Sequence, residues 1–257
     1  MRPMLISALN VTAVKGLRLQ NRAQLELEAG GVREDRRFHL IDERGRMINA
    51  KHVGALQTVI ADYSDSERQL TLTFANGTVI SAPAIPAAKL QTQFYSRPRA
   101  ARLIPGPWDA ALSELAGRRL RLVQTTTGGV DRGVAGAVSL ISRATVQRLA
   151  EVAGREEVDS RRFRMLIEID GAAAHEEDGW IGHRVRLGGA VVRFTGHVGR
   201  CAVTTRDPDT GEVTLPTLDL LGRYRGDAQT TEPLALGIYG EVRQPGLVRV
   251  DDGVTVL

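Results

Sequence analysis

The chain's one cysteine, Cys201, lies in GHVGRCAVTTRDPDTGEV, residues 196–213. A cysteine acts as its thiolate, the softest nucleophile and metal ligand that a side chain supplies. Arg200, immediately before it, brings a planar guanidinium suited to holding an anion or stabilising that thiolate. Cys201 and Arg200 are therefore the candidate catalytic pair. A lone cysteine is otherwise a small buried hydrophobe, so the reading turns on what surrounds it. Just downstream, DPDTG is turn chemistry: proline presets φ, the aspartates accept backbone hydrogen bonds and glycine takes positive φ. His52, His175, His183 and His197 show no metal-ligand spacing, and His39 simply alternates within an apolar strand.

Elements must hold that pair in place, and composition limits what they are. A single cysteine in 257 residues excludes an internal disulfide and a cysteine-built iron–sulfur or zinc site. It fits a reducing, cytoplasmic compartment. No apolar run reaches the roughly 18 residues that span a bilayer, and MRPMLISALNVTAVKG reads as a first strand rather than a signal peptide. No membrane association is expected. Net charge is +4, from 34 basic and 30 acidic residues, and only Lys15, Lys51 and Lys89 are lysines. So arginine-rich a set favours carboxylate or phosphate ligands. Without a basic run interleaved with aromatics, nucleic acid is not an expected partner. Aromatics are 4% of the chain, so the core is aliphatic.

Residues 4–97 read as short strands. LISALNVTAV and AQLELEAGGV run into turn residues, RRFHLIDERGRMINAK folds back at DERG, and polar turns fall at SDSE and ANG. The Pro- and Arg-rich stretch YSRPRAARLIPGPWDAAL marks a boundary. Beyond it, WDAALSELAGRRLRLVQ predicts a helix followed by a strand, and SLISRATVQRLAEVAG a helix capped by Ser142 and stopped by Gly154. FRMLIEID, RVRLGGAVVRFTG and LALGIYGEVRQPGLVRV predict strands, and TLDLLGRYR a short helix. The expected class is mainly β with a few helices (α+β), divided at 1–97 and 98–257.

The ordered motifs carry a resemblance. NVTAVKG, EDRRFHLID, LISRATVQRL, RRFRMLIEI, EEDGWIG, GRCAVTTRDPDTGEV, LLGRYR and GIYGEVRQPGLVRVDDGV follow one another as in the MOSC domain family. Residues 161–225 resemble the MOSC domain shared by molybdenum-cofactor sulfurase C-termini and amidoxime-reducing proteins. Residues 4 to about 95 resemble the β-barrel domain that precedes it in many members. The resemblance implies a molybdenum cofactor (molybdopterin), with Cys201 as the protein thiolate on the metal. It places Lys15, Arg36, Ser142, Thr145 and Arg164 at cofactor-binding positions, with Thr204 and Thr205 as supporting donors. The implied reaction is reduction of N-hydroxylated compounds, fed by an external reductase or ferredoxin-like electron donor. The sequence departs from the family pattern at Met165 and Leu166, which replace Pro-Asn. Asn49–Lys51 replace Thr-Ala-Arg, and Gly199 replaces a common proline. Two other readings stand beside this one: a Cys201 persulfide carrier charged by a cysteine desulfurase, and a non-catalytic binding module for an anionic ligand.

Overall fold

Apolar residues at every second position mark several of this chain's strands. In QLEL, Leu25 and Leu27 turn inward while Gln24 and Glu26 meet water. The structure, a computed structural model, describes residues 3–94, 97–125 and 133–257. Among these the first strands are β1 (Leu5–Val11), β2 (Gln20–Arg22), β3 (Gln24–Leu27), β4 (Phe38–Ile41), β5 (Met47–Ile48), β6 (Ile60–Ser64), β7 (Gln69–Thr73), β8 (Val79–Pro83), β9 (Lys89–Phe94), β10 (Arg97–Leu103) and β11 (Arg121–Thr125). The rest are β12 (Val138–Ser142), β13 (Ile167–Asp170), β14 (Arg184–Leu187), β15 (Ala190–Gly199), β16 (Ala235–Gln244), β17 (Gly246–Arg249) and β18 (Val254–Val256). Three α-helices accompany them: α1 (Trp108–Ala116), α2 (Arg143–Val152) and α3 (Thr217–Arg225). The class is α+β, mainly β, as expected.

An eight-stranded sheet runs in the order β18-β14-β15-β16-β12-β13-β1-β2. Its neighbours are antiparallel except β12 and β13, which are parallel. Parallel neighbours need a crossover, and α2 supplies it. The Ser142 hydroxyl accepts from Thr145 N at 3.1 Å to cap α2, and Val146, Leu149 and Ala150 bury its inner face. A second sheet runs β5-β4-β11-β10-β9, with β6-β7-β8 beside it. The predicted turn at DERG joins β4 to β5, pairing Leu40 with Ile48, and Asp42 Oδ1 accepts from the amides of Arg44 and Arg46, both at 2.9 Å.

The strand pairing does not divide at 97/98. β10 and β11 lie beyond that point, yet β11 pairs with β4 and β10 with β9. Trp108 and Leu112 of α1 belong to the same apolar cluster as Phe38, Leu56 and Leu70. Conversely β1 pairs with β13 in the large sheet, where Ile6 and Leu9 pack with Ile167 and Phe194. The stretch expected as a boundary carries β10 and the start of α1. Pro98 is tolerated there because β11 pairs with β10 only from Ala101 onward, which leaves the amide side of Pro98 without a ladder partner to miss. The first two residues of that stretch, Tyr95 and Ser96, lie outside the described residues. FRMLIEID forms strand only from Ile167: Ser160–Phe163 is a short 3-10 turn and Arg164 takes a left-handed φ of 54°.

Candidate functional site

Cys201 follows the end of β15. The Arg200 amide donates to Leu234 O at 3.2 Å where the chain leaves the end of β15. Cys201 then caps a 3-10 turn over Ala202–Thr205. Its carbonyl accepts from the amide and the hydroxyl of Thr204, each at 3.0 Å, and Thr217 on α3 donates to Thr204 O at 2.9 Å. The loop is thus held by its backbone, and the half-buried thiol is left to line a cleft of about 670 Å³.

Lys15, Arg36, Arg164 and Arg200 line the same cleft. Lys15 lies between β1 and β2, its amide bonded to Phe38 O of β4 at 2.8 Å, Arg36 lies just before β4, and Arg164 and Arg200 come from the C-terminal part of the chain. Arg36 and Arg164 both hold left-handed backbone, φ 48° and 54°, a conformation that costs a non-glycine residue about 1–2 kcal/mol. They are locked to each other: Arg36 Nη2 donates to Arg164 O at 2.6 Å, and Arg164 Nη2 donates to Leu17 O at 2.7 Å. Arg36 also pairs with Asp35. Arg200 donates Nη1 to Phe163 O at 2.8 Å and Nη2 to Leu236 O, with its guanidinium 5.6 Å from the Phe163 ring.

Burial, reinforced by the neighbouring Arg36 and Arg164, pulls the Lys15 ammonium down to about 7, against the opposing pull of Cys201 and Asp35. Arg164 is pulled down to about 9 by burial and then by Arg36. These are cations crowded into a poorly solvated space, and an entering anion relieves the repulsion. An anion also restores the proton to Lys15, so binding and protonation are linked. Sulfate binding to cofactor-free protein at pH 8 is expected to take up close to one proton. Its affinity is expected to fall by up to about tenfold per pH unit above pH 7. Calorimetry in buffers of different ionisation enthalpy measures this, and Lys15→Met is expected to abolish the uptake.

His39 lies beneath this cluster, fully buried, its ring edge-on to Phe94 at 5.8 Å. Neither ring nitrogen has a hydrogen-bond partner among the described residues. Burial, with help from Lys15 and Arg99, pushes its imidazole down to about 3, so it stays neutral. Among the described residues no group of three or more His, Cys, Asp or Glu is arranged to hold a metal ion.

Ser142 and Thr145, expected at the cofactor, are placed elsewhere by the structure. Both are fully buried and lie away from the cleft lining. Beyond capping α2 they bind the buried carboxylate of Glu177: Ser142 N donates to Oε1 at 3.1 Å and Thr145 Oγ1 to Oε2 at 3.0 Å. Thr204 and Thr205 likewise do not line the cleft. Their hydroxyls donate to carbonyls within their own turn, Thr205 to Ala202 O at 2.7 Å. They support the Cys201 segment from behind.

The departures from the family motif have physical consequences. Leu166 joins the core of the large sheet in place of a polar side chain. Met165 Sδ lies 3.0 Å from Arg200 Nη2 and its carbonyl accepts from Asn10 Nδ2 at 3.2 Å. Sequence reasoning missed Arg97, Arg99, Ser139, Glu232 and Tyr239, which line the cleft with Asn49, the first residue of the Asn49–Lys51 departure. For Arg97 and Arg99 the signal was present: two arginines at strand spacing, obscured by the proline between them.

The turn DPDTG fastens this loop to the other half of the molecule. Asp207 Oδ1 accepts from the amides of Asp209 and Thr210, each at 3.0 Å. Asp209 binds Arg161 at 2.7 Å and also pairs with Arg18, while Gln57 Nε2 donates to Asp207 O at 3.2 Å.

Mouse mitochondrial amidoxime-reducing component 1 is 25% identical over 280 aligned positions, covering 96% of this chain and 79% of the mouse protein. The Xenopus laevis protein of the same name is 33% identical over 127 positions, covering 47% of this chain and 36% of its own. YuaD from Bacillus subtilis, a solved structure, superposes over 98% of this chain and 94% of its own with a TM-score of 0.46 and 11% identity, too loose a match to carry an argument. Residues 4–101 match the MOSC N-terminal beta barrel domain and residues 126–255 match the MOSC domain, so the chain belongs to the MOSC family.

Proposed function

We propose that Cys201 ligates the metal of a molybdenum cofactor and that the protein reduces N-hydroxylated compounds with electrons from a separate donor. One observation carries the reading: a half-buried thiol opens into a cleft where Lys15, Arg36 and Arg164 converge from both halves of the chain. The donor set fits the group. A thiolate suits a soft metal, and since Cys201 has no companion ligands of its own kind, the metal must bring most of its own. The crowded cations fit the cofactor's phosphate: Lys15 and Arg164 are lowered by burial and by neighbouring cations, and an anion would relieve both effects.

When bound, the cofactor supplies two-electron chemistry at the N–O bond. The protein's part is ligation by Cys201, charge placement by Lys15, Arg36 and Arg164, and orientation by the backbone-anchored 201–205 turn. Overall, an N–OH group, two electrons and two protons give N–H and water. The electrons come from an external reductase or ferredoxin-like protein, since a single cysteine leaves no iron–sulfur centre on this chain. The names of the mouse and frog relatives support this substrate class.

Expression in a host that makes the cofactor should yield close to one molybdenum and one pterin per chain, together with reduction of benzamidoxime by a supplied donor. Absence of both metal and pterin overturns the proposal. In that case a sulfur atom added to Cys201 after incubation with a cysteine desulfurase, read by mass spectrometry, favours the persulfide carrier.

A further inference from the structure

The cleft holds more positive charge than one phosphate calls for. Among its described lining residues are six cations, Lys15, Arg36, Arg97, Arg99, Arg164 and Arg200, against two carboxylates, Asp35 and Glu232. Both carboxylates already have work: Asp35 pairs with Arg36 and accepts from Thr12 N at 2.9 Å, and Glu232 accepts from Gly199 N at 2.9 Å.

Arg97 and Arg99 stand apart from the inner cations. They are two residues apart on β10, so both side chains leave the same face of the strand. Arg97 is exposed and Arg99 half-buried, which sets them at the outer part of the cleft. The buried ring of Phe94 is shared by Lys15 and Arg99. The Arg99 guanidinium sits 5.8 Å from its centre and Lys15 Nζ 5.5 Å from the same centre. A cation held against an aromatic ring is oriented without being neutralised. Neither Arg97 nor Arg99 forms an ion pair with a carboxylate among the described residues.

We propose that Arg97 and Arg99 form an outer anion subsite, which takes a carboxylate carried by the substrate while the substrate's N-hydroxyl end faces Cys201. The reactive end rests on the function proposed above; the anion subsite stands on the two arginines alone. The protein then prefers N-hydroxylated compounds with a pendant carboxylate over neutral ones. Guanidinium–carboxylate bonds of this kind carry about ten- to a hundredfold in affinity.

Two measurements test this. In cofactor-free protein, calorimetry with sulfate should find two sites. The double change Arg97→Gln/Arg99→Gln should remove one, Arg164→Gln the other, and Arg97→Lys/Arg99→Lys should largely retain the outer one. A single site, lost only with Arg164→Gln, overturns the proposal. In cofactor-loaded protein, KM for 4-carboxybenzamidoxime should lie about tenfold or more below that for benzamidoxime. The double glutamine change should erase that gap by raising KM for the carboxylated substrate. No gap, a gap that survives the change, or an effect only on the electron donor's KM overturns it. The two proposals fail separately: protein that takes up no molybdenum but binds the second sulfate keeps the subsite and loses the reductase. Protein that takes up molybdenum but binds one sulfate does the reverse.

Discussion

Serine in place of Cys201 is expected to leave the protein without bound molybdenum and to lower N-hydroxyl reduction by about a thousandfold or more. A serine hydroxyl is a hard, protonated donor near neutral pH and does not substitute for a thiolate on a soft metal. The fold gives this substitution little reason to disturb anything else. The 201–205 turn is fastened through the Cys201 carbonyl, by the amide and hydroxyl of Thr204, and the sulfur faces the cleft. Stability is therefore expected to change by less than about 1 kcal/mol. Metal content, turnover and melting temperature measured on one preparation check all three. A variant that keeps its molybdenum and its activity removes the thiolate from the chemistry.

Gly211→Ala is expected to cost roughly 2–4 kcal/mol and to lower Tm by about 5–10 °C. A Cβ at Gly211 would stand 2.2 Å from Gly54 O and 2.4 Å from its carbonyl carbon, and the residue holds φ +75°. Backbone cannot step aside as a flexible side chain can. The reverse contact is as close, with a Cβ on Gly54 2.2 Å from Gly211 O. Gly77 is the control. It also has positive φ, +85°, but nothing lies within 4 Å of its added Cβ, so Gly77→Ala carries only the conformational penalty of about 1 kcal/mol. Thermal and denaturant unfolding of the two variants separate the contact from the dihedral angle. Equal losses would mean that the approach of the two backbones contributes nothing. Since the 207–211 turn also joins the Cys201 segment to Gln57 and Arg18, Gly211→Ala is expected to weaken sulfate binding as well.

The sequence was most informative where chemistry forces a local solution. DERG and ANG could be read as turns because few residues accept positive φ, and Gly45 and Gly77 do so at 73° and 85°. Ser142 could be read as a helix cap for a similar reason. The same residue shows the limit of motif matching. A hydroxyl at a motif position does not say which way it points, and here the buried Glu177 claims both Ser142 and Thr145. The convergence of Lys15, Arg36, Arg164, Arg200 and Cys201 was legible only through the order of motifs, because nothing local brings the halves of the chain together. Arg97 and Arg99 were hidden by Pro98, which made a strand with one paired side look like a linker. β10 and β11 pair back across 97/98 because strand partners are chosen over distances that no local pattern records.

That long-range choice bears on how the protein is made. Asn10 in β1 donates to Glu168 in β13 at 3.0 Å across 158 positions of sequence. At about 5–20 residues per second, a nascent chain holds the β13-facing side of LISALNV open for roughly 10–30 s before β13 leaves the ribosome. Meanwhile β4 to β11 already have one another and can fold. One side of β1 can pair with β2 early, but its other side is among the last to be paired and is left as an unsatisfied edge in the interval. Early encounter with a chaperone would guard that edge, and release from the ribosome before β13 is complete would leave it open to aggregation.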